Sequence, residues 1–266
     1  GVGKSTFIES FGMFLTGQDL SVAVLAVDPS SSYSGGSILG DKTRMEKLTR
    51  EKRSFVRPSP SGTHLGGVAR NTREAVRICE AAGFDIIIVE TVGVGQSETI
   101  VSEVSDIFLL ILSPAGGDEL QGVKRGIMEM ADVILVNKAD GELKNQASQT
   151  CADFAGAARI FRKRIRDPEG YPKLLPVSAT NQTGLVEAWD TISELITWRK
   201  EKGFFEEQRA AQASFWFEYD VRQGLLKILD EPEIEELVRE TAENVREGLI
   251  LPQVAAADLV KKISNL

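Results

Sequence analysis

A short glycine-rich run followed by lysine and serine is the first stretch that could do chemistry. Gly3, Lys4 and Ser5 match the last three positions of the phosphate-binding pattern Gly-x-x-x-x-Gly-Lys-[Ser/Thr]. Small residues let successive backbone N–H groups point at phosphate oxygens, and the following helix adds the positive end of its dipole. Lys4 would reach the β- and γ-phosphates, and the Ser5 hydroxyl would bind Mg²⁺. The predicted phosphate loop comprises Gly1, Val2, Gly3, Lys4, Ser5 and Thr6.

By itself this stretch is half a pattern. The first glycine of the motif would precede Gly1, so we expect a further glycine and a strand before it. A glycine-rich helix cap with an ordinary surface lysine explains the same six residues equally well. The rest of the chain must decide between the two interpretations.

Two carboxylates follow apolar runs that are typical of strands. Residues 21–27 lead to Asp28, and residues 84–89 lead to Glu90. Uninterrupted apolar runs favour strands covered on both faces, as in a parallel sheet, where ligands bind at the carboxyl ends of the strands. We therefore predict that Glu90 holds Mg²⁺ through water. The amide of Gly93, three residues on, would sense the γ-phosphate.

The tetrapeptide Asn137-Lys138-Ala139-Asp140 is the most specific signal, and it follows another apolar run at 132–136. The Asp140 carboxylate can accept hydrogen bonds from N1–H and the 2-amino group of guanine. Adenine offers no such pair of donors, so a buried carboxylate facing it would be left unpaired at a cost. Asn137 can bond the N7 side of the purine or tie loops together, and the Lys138 stem can lie over the base.

A further predicted strand, residues 173–177, leads to the second segment of the predicted guanine-binding site. Backbone N–H groups of Ser178, Ala179 and Thr180 are well placed to contact the guanine carbonyl oxygen. Every residue with a chemical role therefore follows a strand, and this consistency is the main sequence argument for a nucleotide site.

The alternation of strands and helices predicts the fold class. We expect an α/β P-loop NTPase with a mostly parallel sheet flanked by helices, plus a C-terminal helical arm. The predicted domains are a GTPase domain over 1–203 and a helical dimerisation arm over 204–266. Predicted helices in the first domain are 4–17, 68–82 and 184–202, and 106–112 is a further strand. Aromatic residues after Gly203 favour a homodimer through the arm.

Composition narrows the class of protein. The formal charge is −8, and no basic face suited to nucleic acid or a membrane surface stands out. A group of basic residues is best interpreted as a solvated helix face, namely Arg159, Arg162, Lys163, Arg164 and Arg166. No apolar run reaches about 18 residues, so we expect no membrane span. One histidine and two cysteines argue against a His-based triad or a His/Cys metal cage, and the thiols are expected to be free and buried.

Four longer stretches, at 26–31, 35–45, 89–98 and 117–124, resemble the methylmalonyl-CoA mutase-associated G proteins, also called ArgK/MeaB-type GTPases. They read AVDPSS, GGSILGDKTRM, VETVGVGQSE and GDELQGVK. The resemblance covers residues 1–200 and, more loosely, the helical tail. It implies a P-loop GTPase of the SIMIBI class, usually a homodimer, that escorts a cobalamin-dependent acyl-CoA mutase, gates its cofactor loading and helps protect or reactivate it.

The resemblance also implies roles for individual residues. Asp28, Asp41 and Glu90 match the carboxylates of the metal site, and with Lys4 they form the predicted catalytic set. Gln121 and Lys124 match an extra switch that couples nucleotide state to the partner. The expected ligands are GTP or GDP with Mg²⁺. The expected location is the cytoplasm, or the mitochondrial matrix in a eukaryote.

Four alternatives remain open from the sequence. An ATP-driven partitioning or iron–sulfur-carrier ATPase has a related sheet, but the tetrapeptide ending at Asp140 argues against it. A nickel metallochaperone GTPase needs Cys and His ligands that are scarce here. A nucleotide-independent scaffold is disfavoured by the density of motifs at strand ends. An older association of the family with arginine/ornithine transport and kinase activity is the weaker interpretation.

Overall fold

The computed structural model describes residues 1–28, 45–60, 65–91, 102–114, 125–158 and 164–264. Within these ranges the chain forms two compact units, Gly1–Gln208 and Arg209–Leu266. Four residues with predicted roles lie outside the described residues, namely Asp41, Gly93, Gln121 and Lys124.

The first unit alternates strands and helices, as the sequence predicts. Its strands are β1 (Val22–Asp28), β2 (Ser54–Pro60), β3 (Ile86–Thr91), β4 (Leu109–Leu112), β5 (Val133–Val136) and β6 (Lys173–Pro176). Its helices are α1 (Lys4–Gly17), α2 (Glu46–Arg50), α3 (Leu65–Ala81), α4 (Arg125–Met130), α5 (Lys144–Ala158) and α6 (Leu185–Glu201). A single 3₁₀ turn, Gly141–Leu143, precedes α5.

All pairings between these strands are parallel. One sheet has the order β2-β1-β3, and the other has the order β4-β5-β6. In the first sheet Ala26 of β1 is level with Glu90 of β3, so the carboxyl ends of these two strands lie side by side. The predicted parallel α/β architecture is therefore confirmed, and the carboxyl ends of neighbouring strands form common edges.

Strand β2 is an addition to the predicted set of strands. The strand contains Pro58 and Pro60, which cannot donate ladder hydrogen bonds, and such residues normally argue against a strand. The structure places β2 at an edge of the first sheet, where one side of the strand needs no partner. Its register against β1, from Val22–Ser54 to Asp28–Pro60, is continuous.

Burial differs sharply between strands of similar composition. The four residues of β5 are fully buried, as are Val22 to Leu25 of β1. In contrast, Ile86 to Val89 of β3 are only half-buried, and so are the first three residues of β4. Both β1 and β5 are central in their sheets, whereas β3 and β4 each have one edge without a strand partner among the described residues. Strands rich in isoleucine and leucine are normally found in the middle of a parallel sheet, where these side chains are buried.

A buried ion network corrects one sequence interpretation. Arg199 of α6 is 1% exposed and donates to Asp132 at 2.5 Å and to Asp167 at 2.6 Å. Arg164 also pairs with Asp132, at 2.7 Å, and is only 21% exposed. The prediction of a solvated helix face is therefore wrong for Arg164, which is not helical and neutralises a buried carboxylate. The network lies at the amino ends of β4 and β5, since Asp132 also accepts from the Phe108 amide at 2.7 Å.

The two cysteines are free thiols, as predicted. Cys79 is buried against β1 and β3, and Cys151 on α5 is half-buried. Burial raises the pKa of the Cys151 thiol to about 11, and burial also raises that of Cys79. Both thiols are therefore protonated and weakly reactive at neutral pH.

The second unit is helical. It contains most of α7 (Phe204–Lys227), a 3₁₀ turn (Ile228–Asp230), α8 (Pro232–Arg246) and α9 (Pro252–Ile263). Trp216, Ile234 and Ala255 are its buried apolar residues, while many other apolar side chains are exposed. Among the helices that the structure describes, none is both long and apolar enough to cross a membrane.

Candidate nucleotide site

The phosphate loop turns into α1 at a residue that must be glycine. Gly3 has a φ of +81°, in the left-handed region where a side chain is strained. A Cβ atom on Gly3 would also lie 2.8 Å from Nδ2 of Asn137. The loop can therefore approach the end of β5 only because this position has no side chain. Helix α1 then begins at Lys4, which puts Lys4 and Ser5 in its first turn.

Lys4 and Ser5 contact the carboxyl end of β3. The Lys4 ammonium donates to the backbone oxygen of Thr91 at 2.7 Å, and the Ser5 hydroxyl donates to Oε1 of Glu90 at 3.0 Å. The structure thus brings together two residues that are 85 positions apart in the sequence and that were predicted to share one metal. A hydroxyl and a carboxylate are hard oxygen donors, which fits the preference of Mg²⁺.

The remaining metal candidates can be located only in part. Asp28 ends β1, which pairs with β3, so its backbone lies beside the end of β3. Nothing is described of its side chain, and Asp41 lies outside the described residues. Within the described ranges, no group of three His, Cys, Asp or Glu side chains converges.

Asn137 links the two halves of the site. It is 2% exposed and follows directly after β5. Its Nδ2 donates to the backbone oxygens of Val2, at 3.0 Å, and Gly3, at 3.4 Å. Its Oδ1 accepts from the amide of Ala179 at 3.1 Å. Of the two roles left open by the sequence, the structure shows the second, because the side chain ties the phosphate loop to the loop after β6.

Lys138 makes a parallel connection. Its φ is +62°, which turns the chain sharply after Asn137. Its ammonium donates to the backbone oxygen of Gly1 at 3.0 Å, so its side chain spans from the loop after β5 to the predicted phosphate loop. The amide of Ala139 donates to the Val177 oxygen at 2.9 Å and aligns this loop with the end of β6. Two side chains from one tetrapeptide therefore hold the phosphate loop.

Asp140 has a buried partner of its own. The hydroxyl of Ser178, a fully buried residue, donates to Oδ2 of Asp140. The same hydroxyl oxygen accepts from the Asn181 amide at 3.0 Å, which leaves its proton directed at the carboxylate. Ser178 and Thr183 exchange both backbone hydrogen bonds, at 3.0 and 3.2 Å, and so close the loop behind the serine. Ser178 thus fixes the orientation of the carboxylate predicted to recognise guanine.

The three predicted backbone donors differ in availability. The Ser178 amide donates to Thr183, and the Ala179 amide donates to Asn137. Thr180 is exposed, and its amide donates to no acceptor among the described residues. The predicted contact with the guanine carbonyl oxygen therefore rests first on Thr180.

Ser10 is a contributor that the sequence did not reveal. Its hydroxyl donates to the backbone oxygen of Ala179 at 2.8 Å, and so joins the second turn of α1 to the loop after β6. Ser10 lies six positions after Lys4, inside a helix, and nothing in its local sequence separates it from a solvent-facing serine. Thr6, the last residue of the predicted phosphate loop, is exposed.

A comparison with protein-family models identifies the chain. The family model "Methylmalonyl Co-A mutase-associated GTPase MeaB" matches residues 1–233 of 266. The chain belongs to this family. The predicted family resemblance is therefore confirmed.

Individual relatives agree with this assignment. A mouse protein named "Methylmalonic aciduria type A homolog, mitochondrial" is 45% identical over 266 residues, which cover all of this chain and 64% of the mouse protein. A Caulobacter vibrioides protein named "Putative GTPase" is 48% identical over 97% of this chain and 78% of its own length. A crystal structure of an LAO/AO transport system kinase matches with a TM-score of 0.73 at 33% identity, covering 99% of this chain and 78% of that protein.

Membership of a GTPase family indicates what the contacts between these loops are for. GTPases need a phosphate loop, a metal carboxylate and a guanine-reading carboxylate around one nucleotide. The described residues place Lys4 and Ser5 beside Glu90, and they connect Asn137 and Lys138 to the phosphate loop. The arrangement has the parts that a guanine nucleotide site requires.

Replacing Ser178 with alanine should weaken binding of GDP by about three- to tenfold, because Asp140 loses the donor that orients it. IDP lacks the 2-amino group, so it depends less on the carboxylate orientation and should lose less affinity. Fluorescence competition with GDP and IDP measures both values. Ser148→Ala makes the same change at an exposed serine of α5 and serves as the matched control, with no expected change for either nucleotide. Equal losses for the two nucleotides would show that Ser178 acts only on loop stability.

Proposed function

We propose that this chain binds GTP, hydrolyses it to GDP and phosphate, and couples this reaction to a cobalamin-dependent acyl-CoA mutase. The observation that carries the proposal is the connection of the guanine-type tetrapeptide to the phosphate loop through Asn137 and Lys138, beside the Lys4 and Ser5 contacts with β3. Family membership supports the same conclusion.

The chain's own residues supply positioning and charge. Lys4 sits where its ammonium can exchange the Thr91 carbonyl for phosphate oxygens and neutralise charge on the transferring phosphoryl group. Asp140, oriented by Ser178, would accept the two guanine donors. Ser5, Asp28, Asp41 and Glu90 would hold Mg²⁺, and the metal would balance charge on the β- and γ-phosphates. The sole histidine, His64, is outside these motifs, so we expect slow hydrolysis without a partner.

Coupling of GTP hydrolysis to a mutase is the second element of this function. The family is described as mutase-associated, and Gln121 and Lys124 match its extra switch. A partner that orders the loops around the γ-phosphate would raise the hydrolysis rate. The mouse relative carries "mitochondrial" in its name, and in this chain we propose the matrix or the bacterial cytoplasm as the location.

The second unit supports a homodimer. Phe217, Val221 and Leu225 recur every four residues on α7, and they are 69%, 47% and 62% exposed. This spacing makes one apolar stripe along a helix, and such stripes are normally covered. We propose that a second copy covers it, so that residues 204–266 form a dimerisation arm. A molar mass of one chain in light scattering at micromolar concentration would contradict this.

The predicted phosphate loop contacts both sheets. Half-buried β3 and β4 end the two sheets, and the phosphate loop contacts the carboxyl end of β3 and the residues that follow β5. We propose that the two sheets belong to one GTPase domain over 1–203.

The experiment that tests the function uses the full-length protein. GDP should bind much more tightly than ADP, and GTP hydrolysis should accelerate when the purified mutase is added. Tighter binding of ADP would favour the ATPase alternative. A hydrolysis rate that is the same with and without mutase would remove the coupling while leaving the GTPase proposal intact. Capture from lysate in the presence of GDP or a GTP analogue would identify which mutase is bound.

A further inference from the structure

One face of α1 carries three residues that together contact two other elements of the first unit. Ser5, Glu9 and Gly12 follow one another at spacings of four and three, which places them on one side of a helix. Ser5 donates to Glu90 at the end of β3. Glu9 and Gly12 both contact α2, the short helix that precedes the edge strand β2.

Glu9 supplies a hydrogen-bond acceptor for a backbone N–H group in the first turn of α2. The residue before α2, Met45, offers no side-chain cap to the first turn. Oε1 of Glu9 instead accepts from the amide of Lys47 at 2.8 Å. A carboxylate suits this position, because the first amides of a helix have no partner within the helix.

Gly12 allows α1 and α2 to touch. A Cβ atom on Gly12 would lie 2.7 and 2.9 Å from the two terminal methyl carbons of Leu48. Leu48 is fully buried, so its side chain has no free space into which it could move. The other glycine late in α1, Gly17, has no atom within 4 Å of such a Cβ. The close approach is therefore specific to the position one turn after Glu9.

Helix α2 is in turn fixed to the sheet. The Ser54 hydroxyl at the start of β2 donates to the backbone oxygen of Leu48 and, at 3.2 Å, to that of Glu51. Met45 and Leu48 are buried in the main core together with Phe11 of α1. Helix α2 is thus packed between α1 and the edge of the first sheet.

We propose that Glu9 and Gly12 are positioning residues for the phosphate site. By packing α1 against α2, they set the tilt and rotation of α1 and therefore the direction in which Lys4 and Ser5 point. Gly12 lies eight residues after Lys4, about 12 Å along the helix, so a small displacement at Gly12 turns the first turn of α1 relative to β3. Small misplacements at a phosphate site carry large penalties in affinity and rate. The inference rests on the placement of the triphosphate at Lys4 and Ser5.

The test compares GDP affinity with thermal stability in the full-length protein. Gly12→Ala should weaken GDP binding by about tenfold, because α1 is pushed off Leu48. Adding Leu48→Val restores room and should recover most of the affinity, even though the smaller side chain lowers Tm further. Gly17→Ala is the matched control for the added methyl group and should leave affinity unchanged. Glu9→Ala should cost about fivefold, and Glu9→Gln, whose amide oxygen still accepts from Lys47, should bind nearly as the unmodified protein does.

Compared with Gly12→Ala alone, the double variant should bind GDP more tightly and have a lower Tm. This combination is expected of positioning residues and not of residues that only stabilise the fold. If GDP affinity instead falls in parallel with Tm across all variants, Glu9 and Gly12 are structural residues only and the inference is wrong. The unmodified protein separates this failure from failure of the proposed function. If it does not bind GDP at all, the placement of the nucleotide is wrong, and this inference fails with it.

Discussion

Asp140→Asn should change the base preference of the protein from guanine to xanthine. The carboxylate can accept both guanine donors, whereas an asparagine would direct its NH₂ group at the 2-amino group. The asparagine oxygen can still accept from N1–H but carries no charge, and the other contact becomes two opposed donors. Together these changes cost about 2–4 kcal/mol, so GDP affinity should fall roughly 30- to 1,000-fold. Xanthine carries an oxygen at that position and can accept from the asparagine, so XDP affinity should rise.

Competition of GDP and XDP against a fluorescent nucleotide measures this ratio. Glu142→Gln removes an exposed carboxylate two residues further on and serves as the control, with no expected change in preference. Circular dichroism and Tm should remain close to those of the unmodified protein, because Asp140 is only partly buried. An unchanged ratio of GDP to XDP affinity would contradict the assignment of Asp140 to base recognition.

Arg199→Met should have the largest effect on stability. Arg199 pairs with Asp132 and Asp167, whose carboxylate side chains are 3% and 6% exposed, and it also donates to the backbone oxygen of Asp106 at 2.9 Å. Methionine retains the apolar part of the side chain but leaves two buried carboxylates short of a partner. Removing one member of a buried ion network typically costs about 3–5 kcal/mol in the free energy of unfolding. Urea denaturation followed by circular dichroism measures this loss.

Two further variants separate charge from packing. Arg70→Met removes an arginine of the same kind from an exposed pair with Glu74 on α3, at 3.0 Å, and should cost less than about 1 kcal/mol. Combining Arg199→Met with Asp167→Asn should recover about 1–2 kcal/mol, because a neutral amide is less costly than a carboxylate to leave buried. No recovery in the double variant would mean that the loss comes from packing rather than from unpaired charge.

The positions of several predicted site residues could be inferred from the sequence because these residues directly follow strands. Apolar runs identify buried strands without knowledge of their neighbours, and the carboxyl ends of parallel strands share an edge. Glu90 and Asn137 could therefore be assigned to one site before their contacts were known. The choice between the two roles of Asn137 could not be made, since it depends on whether the Val2 oxygen lies within reach of its amide.

The contacts that support the site were not predictable in the same way. Glu9 is a charged residue in a helix, and its local sequence is the same whether it faces solvent or the Lys47 amide. Arg164 was interpreted as solvated for this reason, since only the tertiary fold brings Asp132 to it. Strand β2 is absent from the predicted set, and its two prolines argue against a strand unless its edge position is known. In each case the deciding partner is distant in the sequence.

The Asn137 side chain has a consequence for nucleotide release. Its amide nitrogen donates to the predicted phosphate loop, and its oxygen accepts from the loop after β6, which is predicted to contact the base. Both N–H groups of the amide nitrogen are used. Distorting either loop therefore disturbs the other through a single residue. An exchange factor that pulled on the base side alone would also loosen the grip on the phosphates, without ever touching them.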